Sequence, residues 1–258
     1  MVEQLPLKQQ VVGSTPTGRT MKTIIAAAGR GTRMGELTKN QPKHLIEVAG
    51  KPFLYHVLQN LKQGGVQKFI LVTGYHAEAM EKFAKEYESE FNIALINQFK
   101  TFGEEKYGTA VPIEVAEKQI KDESFFAIYG DNLYSPKDIR RLIETDDFNY
   151  ISVIEHAEPE KYGVAVLGKE NFLEKIVEKP KEFMGNLINT GLYKFTPEIF
   201  DEVKKVRKSP RGEYELTDAV QTLAERGRVK VLELRDYWMD FGKPEDIPNV
   251  EKFLKKGV

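Results

Sequence analysis

Apolar residues in the first half of the chain alternate between short continuous runs and runs with helical spacing. Residues 23–28 form a continuous apolar run, and apolar side chains then recur three or four positions apart over residues 53–61 until a Gly-Gly pair ends the pattern. Further short apolar runs at 68–73 and 93–96 enclose a helical pattern at 77–89. This alternation of strand and helix predicts an α/β fold, with a doubly wound, Rossmann-like and mostly parallel sheet.

The rest of the chain continues with a predicted helix over residues 107–120 and a strand over 125–129. Ser135 and Pro136 then supply a cap and a first-turn proline, which indicates that a further helix begins there. From residue 150 onward, β-type segments are separated by short polar turns, and this pattern predicts a β-rich lobe. The last predicted elements are a helix over 216–226, a final strand over 230–234 and a helix over about 244–255.

The charge balance and the residue types exclude several kinds of site. The chain has 258 residues, of which 38 are basic and 39 acidic, so its net charge of −1 gives no overall attraction to nucleic acid or to an anionic membrane. Any phosphate ligand must therefore be held by local groups. There is no cysteine, which excludes disulfides and thiolate chemistry. Four histidines show no paired metal spacing and are expected at the surface or in loops: His44, His56, His76 and His156.

Residues 1–20 precede the first predicted strand and show no regular apolar pattern. They also lack the basic start and the continuous apolar core of a signal peptide, so we expect a disordered extension or an upstream start. No apolar run in the sequence approaches the ~20 residues that are needed to span a bilayer. These features favour a cytoplasmic protein that binds neither nucleic acid nor membrane.

The first predicted strand runs directly into a loop rich in glycine and basic residues. Gly29 and Gly31 let backbone N–H groups approach an anion that a Cβ atom would hold away, while Arg33 and Lys43 add positive charge. The loop therefore predicts a phosphate cradle, against the alternative of an ordinary glycine-rich turn. The dinucleotide fingerprint G-x-G-x-x-G is excluded because Met34 replaces its third glycine. A Walker loop is excluded because proline follows the Gly-Lys pair.

Two aspartates follow apolar segments at positions where a metal ion could bind. Asp131 comes after the predicted strand 125–129, and Asp240 comes after the predicted strand 230–234 and an aromatic pair. A single aspartate in such a place is more often a turn or cap residue. The carboxyl ends of neighbouring parallel strands, however, meet at one edge of a sheet, where two carboxylates can share one Mg²⁺ with phosphate oxygens. We therefore expect the two aspartates to converge.

Several motifs together resemble the signature of the sugar-phosphate nucleotidylyltransferases. The first is Ala27-Ala28-Gly29-Arg30-Gly31-Thr32-Arg33-Met34, followed by Thr38, Pro42-Lys43-His44-Leu45, Val48 and Gly50-Lys51-Pro52. The later ones are Gln98, Tyr107-Gly108-Thr109-Ala110, Gly130-Asp131-Asn132, Glu178-Lys179-Pro180, Asn189-Thr190-Gly191-Leu192-Tyr193, the run from Arg211 to Asp218 and the run from Trp238 to Asp246. Tyr107 stands where the family usually has Leu, and Lys243 stands where it has Thr or Ser. The resemblance extends from residue 22 to about residue 250 and is greatest to the glucose-1-phosphate thymidylyl or uridylyl branch.

The resemblance implies an enzyme that transfers a nucleotidyl group from a nucleoside triphosphate to a sugar 1-phosphate and releases pyrophosphate. It favours dTTP or UTP as the donor and glucose 1-phosphate as the acceptor. It also implies Mg²⁺ as cofactor on Asp131 and Asp240, with Arg33 and Lys43 as catalytic residues. The implied nucleotide-binding residues are Ala27, Ala28, Gly29, Gly31, Thr32, Gln98, Gly108 and Thr109. The implied sugar-phosphate-binding residues are Gly163, Glu178, Lys179, Asn189 and Gly191.

For the organisation of the chain, the resemblance implies one nucleotidyltransferase domain over residues 21–258. Its nucleotide-binding half covers about residues 21–148, and its β-rich, sugar-binding half covers about residues 149–258. A homo-oligomer is compatible with this organisation.

Three alternatives stay open from the sequence. Two of them are enzymes of the same kind, namely a mannose-1-phosphate guanylyltransferase and a phosphocholine cytidylyltransferase-like enzyme. The third is a catalytically silent subunit that binds a nucleotide sugar and regulates a partner. The Glu178-Lys179-Pro180 motif favours a sugar over phosphocholine, and the presence of Arg33 and Lys43 together with both aspartates argues against a silent subunit.

Overall fold

The computed structural model of the protein describes residues 21–120 and 122–256, and these ranges contain thirteen strands and eight α-helices. The strands are β1 (Lys22–Ala27), β2 (Glu47–Val48), β3 (Lys51–Pro52), β4 (Lys68–Thr73), β5 (Ile93–Asn97), β6 (Phe125–Tyr129), β7 (Asn132–Tyr134), β8 (Asn149–Glu155), β9 (Gly163–Leu167), β10 (Leu173–Glu178), β11 (Leu187–Phe195), β12 (Val229–Glu233) and β13 (Trp238–Asp240). The helices are α1 (Phe53–Gly64), α2 (Ala77–Glu86), α3 (Gln98–Phe102), α4 (Val111–Ile120), α5 (Pro136–Ile143), α6 (Ile199–Val203), α7 (Leu216–Ala224) and α8 (Asp246–Lys255).

Four parallel strands form one side of the main sheet, in the order β5-β4-β1-β6. β1 lies inside this group because both of its faces are apolar: Ile24 and Ile25 are fully buried, and they belong to separate apolar cores on the two faces of the sheet. Helices α1 and α2 contribute to one core and α4 to the other. The predicted doubly wound α/β arrangement is thereby confirmed, and the carboxyl ends of all four strands lie at one edge.

The second half of the chain extends the same sheet with mostly antiparallel strands. β11 pairs antiparallel with β6, and it also pairs with β8 and β9. β10 lies beyond β9, and β12 lies parallel to β8. The predominance of β-strands expected after residue 150 is therefore observed. It is continuous with the parallel half, because β11 is hydrogen-bonded directly to β6.

A separate two-stranded ribbon lies at the carboxyl edge of the sheet. Its strands, β7 and β13, are antiparallel and place Met239 opposite Leu133. The prediction that residues 230–234 would form the final strand is wrong, because β13 follows it. β13 has only three residues, which is too short to produce a recognisable apolar pattern.

Two predicted helix starts can be compared with the observed ones. The helix expected over residues 107–120 begins only at Val111, because Gly108 adopts a φ of 142° that no helix contains. The helix expected at Ser135 is confirmed, with the Ser135 side chain accepting a hydrogen bond from the backbone N–H of Lys137 at 3.2 Å. Both observations concern loops at the carboxyl edge, where the candidate site lies.

The expectation for residues 1–20 concerns a segment that lies outside the described residues. Among the residues that are described, no helix combines the length and the apolar character needed to cross a membrane.

One buried carboxylate fixes the chain just before β13. Asp138 is 1% exposed and accepts hydrogen bonds from the backbone N–H groups of Arg235 (3.1 Å) and Asp236 (2.9 Å), while the guanidinium of Arg141 donates to it at 2.6 Å. The segment that leads into the ribbon is therefore attached to helix α5.

We expect Asp138→Asn to lower the free energy of unfolding by about 2 kcal/mol or more, because the amide places a donor where the carboxylate accepts from backbone donors. Urea-induced unfolding would measure the loss. Asp147→Asn, at an exposed aspartate, serves as the control. Equal stabilities of the two variants would contradict the role given to Asp138.

Candidate active site

The glycine-rich loop between β1 and the 3₁₀ segment Thr32–Thr38 leaves backbone donors available. Gly29, Arg30 and Gly31 donate no backbone hydrogen bond to any residue that the structure describes. Gly31 has a φ of 65°, and a Cβ atom there would lie 3.1 Å from Cγ2 of Thr38. The Thr38 hydroxyl donates to the Gly31 carbonyl at 3.0 Å and closes the loop. The amides can therefore receive an anion without breaking existing hydrogen bonds.

The two predicted catalytic cations both follow this loop in the chain. Arg33 is exposed, and its Nη1 lies 3.3 Å from the position that a Cβ atom on Gly242 would take, just beyond the end of β13. Lys43 begins the 3₁₀ segment Lys43–Leu45, and its Nζ donates to Oδ2 of Asp131. Lys43 thus links the loop to the carboxyl end of β6.

The ribbon places the two predicted metal-binding aspartates next to each other. In its register Asp240 faces Asn132, and the backbone N–H of Phe241 donates to the carbonyl of Asp131 at 2.8 Å. The reason expected from the sequence is wrong, because the main-sheet strand before Asp240, β12, does not itself deliver this residue to the site. It ends β13, and the antiparallel pairing with β7 brings it beside Asp131.

The two carboxyl groups differ in pKa. Burial raises the pKa of Asp240 to about 6, helped by the negative charges of Asp131 and Asp246. Burial also acts to raise the pKa of Asp131, but the charge of Lys43 and its hydrogen bond outweigh this and leave the pKa below its ordinary value. At neutral pH both groups are ionised, and only Asp131 has a cation bound directly to it.

His44 lies beneath this pair and corrects an expectation from the sequence. The prediction that this histidine lies at the surface is wrong, because His44 is only 1% exposed. A Cβ atom on Gly130 would lie 3.1 Å from Cδ2 of the imidazole, so the ring packs against the turn that presents Asp131. Burial, with the charge of Lys43, lowers the pKa of His44 to about 3, so the ring is neutral.

On the nucleotide side, Gln98 is the first residue of α3 and is 1% exposed. Its Oε1 is buried without a hydrogen-bond partner among the described residues. An unpaired buried carbonyl is costly, so a ligand that donates a hydrogen bond to it would be favoured. Ala27 and Ala28 are buried at the end of β1, and Thr32 opens the 3₁₀ segment.

Gly108 and Thr109 have structural partners in addition to their predicted role. A Cβ atom on Gly108 would lie 2.3 Å from the backbone N of Tyr214, so only glycine allows this approach. The Thr109 hydroxyl accepts a hydrogen bond from the backbone N–H of Leu216 at 2.8 Å. The nucleotide contacts expected for both residues stay predictions.

On the other side of the site, three of the predicted sugar-phosphate residues converge. Gly163 pairs with Glu178 across β9 and β10, and a Cβ atom on Gly163 would lie 3.0 Å from Oε2 of Glu178 and 3.6 Å from Cβ of Asn189. Asn189 lies in β11, where its side chain accepts from the N–H of Gly191 at 3.2 Å. Lys179, which follows Glu178 in the chain, has a φ of 45° and an exposed side chain.

Arg211 is a site residue to which the sequence alone gave no role. Its guanidinium donates to Glu178 at 3.1 Å, and it also lies 3.4 Å from Glu213 and 3.6 Å from Glu215. Three carboxylates around one exposed guanidinium hold the loop before α7 against the end of β10. The only available signal was the motif that contains Arg211, since no periodicity marks it.

The donor set fits Mg²⁺. This ion prefers one or two carboxylates completed by phosphate oxygens and water, and Asp131 and Asp240 supply two carboxylates at one place. No group of three or more His, Cys, Asp or Glu residues arranged for a metal occurs in the described part of the chain. A site of this kind would therefore need the oxygens of a bound substrate.

The fold and the loop at its carboxyl edge define a Rossmann-like α/β protein. The family model described as "Nucleotidyl transferase" matches residues 22–257, and the chain belongs to this family of enzymes. The resemblance drawn from the motifs is thereby confirmed.

Three similar proteins illustrate the relationship. A bifunctional protein GlmU from Methanococcus maripaludis is 36% identical over 239 residues, which cover 92% of this chain and 55% of GlmU, so the chain spans about half the length of such relatives. A UTP–glucose-1-phosphate uridylyltransferase, AglF, from Haloferax volcanii is 33% identical over 242 residues, which cover 92% of this chain and 97% of AglF. The solved structure of a UDP-glucose pyrophosphorylase complexed with UDP-glucose has a TM-score of 0.81 at 23% identity, covers 93% of this chain and 100% of that chain, and shows the shared fold.

We expect Asp240→Asn to stabilise the protein at pH 7, by on the order of 2 kcal/mol. The pKa of Asp240 is about 6 in the folded protein against an ordinary value of 3.8, so the folded state holds the proton more tightly. Stability therefore falls as the pH rises from about 4 to about 6, and the amide removes this loss. Chemical unfolding at pH 4 and pH 7 would measure the difference, which should disappear towards pH 4.

Asp131→Asn is the matched control, because it removes the partner of Lys43 and should lower stability at pH 7. A destabilised Asp240→Asn at pH 7, or two variants that shift in the same direction, would contradict this electrostatic description.

Proposed function

We propose that the protein transfers a nucleotidyl group from a nucleoside triphosphate to a sugar 1-phosphate and releases pyrophosphate. The observation that carries the proposal is the convergence of unpaired loop amides, Arg33, Lys43 and two aspartates at the carboxyl edge of the parallel strands. Ligands of doubly wound folds bind at this edge. Membership of the nucleotidyl transferase family supports the same conclusion.

In this reaction an oxygen of the sugar phosphate attacks the α-phosphorus of the triphosphate, and the bond to the β-phosphate breaks. No covalent intermediate with the protein is required, so the protein acts by positioning and by stabilising charge. We assign Arg33 to the outer phosphates and the departing pyrophosphate. Lys43 is assigned to the region of the α-phosphate, and the amides of Gly29 and Gly31 to the cradle.

Asp131 and Asp240 would hold Mg²⁺. Bound there, the ion would neutralise charge on the phosphates and favour departure of pyrophosphate. Lys43 supplies positive charge to Asp131, whereas none of the described basic side chains is hydrogen-bonded to Asp240. A cation bound beside Asp240 would therefore stabilise the negative charge of this region.

The proposed acceptor is glucose 1-phosphate. Glu178 and Asn189 lie together beside Gly163 and would contact sugar hydroxyls, with the Asn189 amide positioned by its hydrogen bond to the Tyr193 hydroxyl, while the exposed Lys179 would hold the sugar phosphate. Tyr162 connects this side to the aspartates, because its carbonyl accepts from the N–H of Lys179 at 2.9 Å and its ring lies 5.8 Å from that of Trp238 in β13. The similarity to AglF, named as a UTP–glucose-1-phosphate uridylyltransferase, supports UTP or dTTP as the donor.

The proposal is tested by pyrophosphate release with a panel of dTTP, UTP, GTP, CTP and ATP against glucose 1-phosphate, mannose 1-phosphate and phosphocholine. We expect the highest rate with UTP or dTTP and glucose 1-phosphate, in the presence of Mg²⁺. A best rate with GTP and mannose 1-phosphate, or with CTP and phosphocholine, would assign a different substrate. No release with any pair would support a silent nucleotide-sugar-binding subunit.

We expect Gln98→Ala to weaken discrimination among the triphosphates more than it slows the best one, because truncation removes the buried amide that would pair with the base. The ratio of kcat/KM between the best and the second-best triphosphate should fall by about tenfold. Unchanged relative rates across the panel would show that Gln98 does not read the base.

A further inference from the structure

The side chain of Tyr107 lies over the phosphate cradle. Its hydroxyl oxygen is 3.5 Å from the position that a Cβ atom on Gly29 would take, and the residue is 37% exposed. The hydroxyl forms no hydrogen bond with any residue that the structure describes. Within the described ranges, a hydroxyl donor without a partner thus stands beside backbone amides that also have none.

Contacts on both sides hold Tyr107 in this place. On one side, Arg30 in the cradle donates to Glu104 at 3.0 Å. On the other, the carbonyl of Tyr107 accepts from the N–H of Tyr214 at 3.0 Å, and the N–H of Ala110 donates to the carbonyl of Tyr214 at 2.9 Å. The backbone of this segment is therefore attached to the loop before α7, and the exposed Arg30–Glu104 pair lies at its other end.

The charges around the ring suit an anionic ligand. Burial, together with Glu213 and Asp131, raises the pKa of the Tyr107 hydroxyl, while Arg30 and Arg33 oppose the rise. The phenol consequently keeps its proton throughout the neutral range and remains a donor. The two arginines add positive charge to the same region.

We infer that Tyr107 is a substrate-binding residue whose hydroxyl donates a hydrogen bond to the phosphate chain of the nucleoside triphosphate in the cradle. The inference rests on the proposed function, since it requires a triphosphate at Gly29 and Gly31. A phosphate oxygen bound to those amides lies within reach of a hydroxyl that contacts Gly29. The leucine usual at this position in the family motif could cover the loop but could not donate.

The experiment compares three substitutions by calorimetric titration with α,β-methylene-UTP and α,β-methylene-dTTP in the presence of Mg²⁺. Tyr107→Phe keeps the ring and removes the hydroxyl, and Tyr107→Leu removes both. Tyr55→Phe is the matched control, because the Tyr55 hydroxyl donates to Glu90 at 3.0 Å, away from the cradle. We expect Tyr107→Phe and Tyr107→Leu each to raise the Kd about tenfold, which corresponds to one hydrogen bond to a charged acceptor, and Tyr55→Phe to leave it unchanged.

The outcomes separate this inference from the proposed function. Failure of the unmodified protein to bind either analogue would overturn both. Binding by the unmodified protein with an unchanged Kd for Tyr107→Phe would overturn only the role of the hydroxyl. A normal Kd for Tyr107→Phe with a raised Kd for Tyr107→Leu would show that the ring covers the loop without a hydrogen bond, which also contradicts the inference. Melting temperatures of the variants establish that each is folded.

Discussion

The pairing of β7 with β13 is the constraint on which the candidate site depends. It brings Asp240 beside Asp131, although burial and the neighbouring negative charges raise the pKa of Asp240 to about 6. Apolar packing opposes this repulsion, because the ring of Phe241 is fully buried and stacks on Phe53 at a centroid distance of 4.1 Å. Lys43 neutralises one of the two carboxylates. The fold therefore places two carboxylates close together, and a bound cation would reduce the repulsion between them.

The loop before α7 joins the two sides of the site. Tyr214 is hydrogen-bonded to the segment that carries Tyr107 and Gly108, and Arg211 three residues earlier is bound to Glu178. A change in the position of this loop would alter both the proposed nucleotide contacts and the proposed sugar contacts.

Much of the fold could be predicted from the sequence, because continuous apolar runs mark strands that are buried on both faces, such as β1 and β4. The proximity of Asp131 and Asp240 was expected for the wrong reason, since a three-residue strand leaves no periodic signal. The burial of His44 was missed because the ring packs against residues that are distant in sequence, such as Gly130. A motif also does not show where a residue points: Lys51 lies in the same signature as Lys43, yet its Nζ stands 5.0 Å from the centre of the Tyr55 ring and 5.1 Å from that of Tyr87. Such distances depend on tertiary contacts, which local patterns do not contain.

The central claim is that the ribbon unites Asp131 and Asp240 in one site for Mg²⁺ and a triphosphate. The most direct measurement is a crystal structure of the protein with Mg²⁺ and α,β-methylene-UTP. We expect one ion with an oxygen of each carboxylate at about 2.1 Å and phosphate oxygens completing its octahedron. An ion held by neither aspartate, or a triphosphate bound away from the loop of Gly29 and Gly31, would contradict the account.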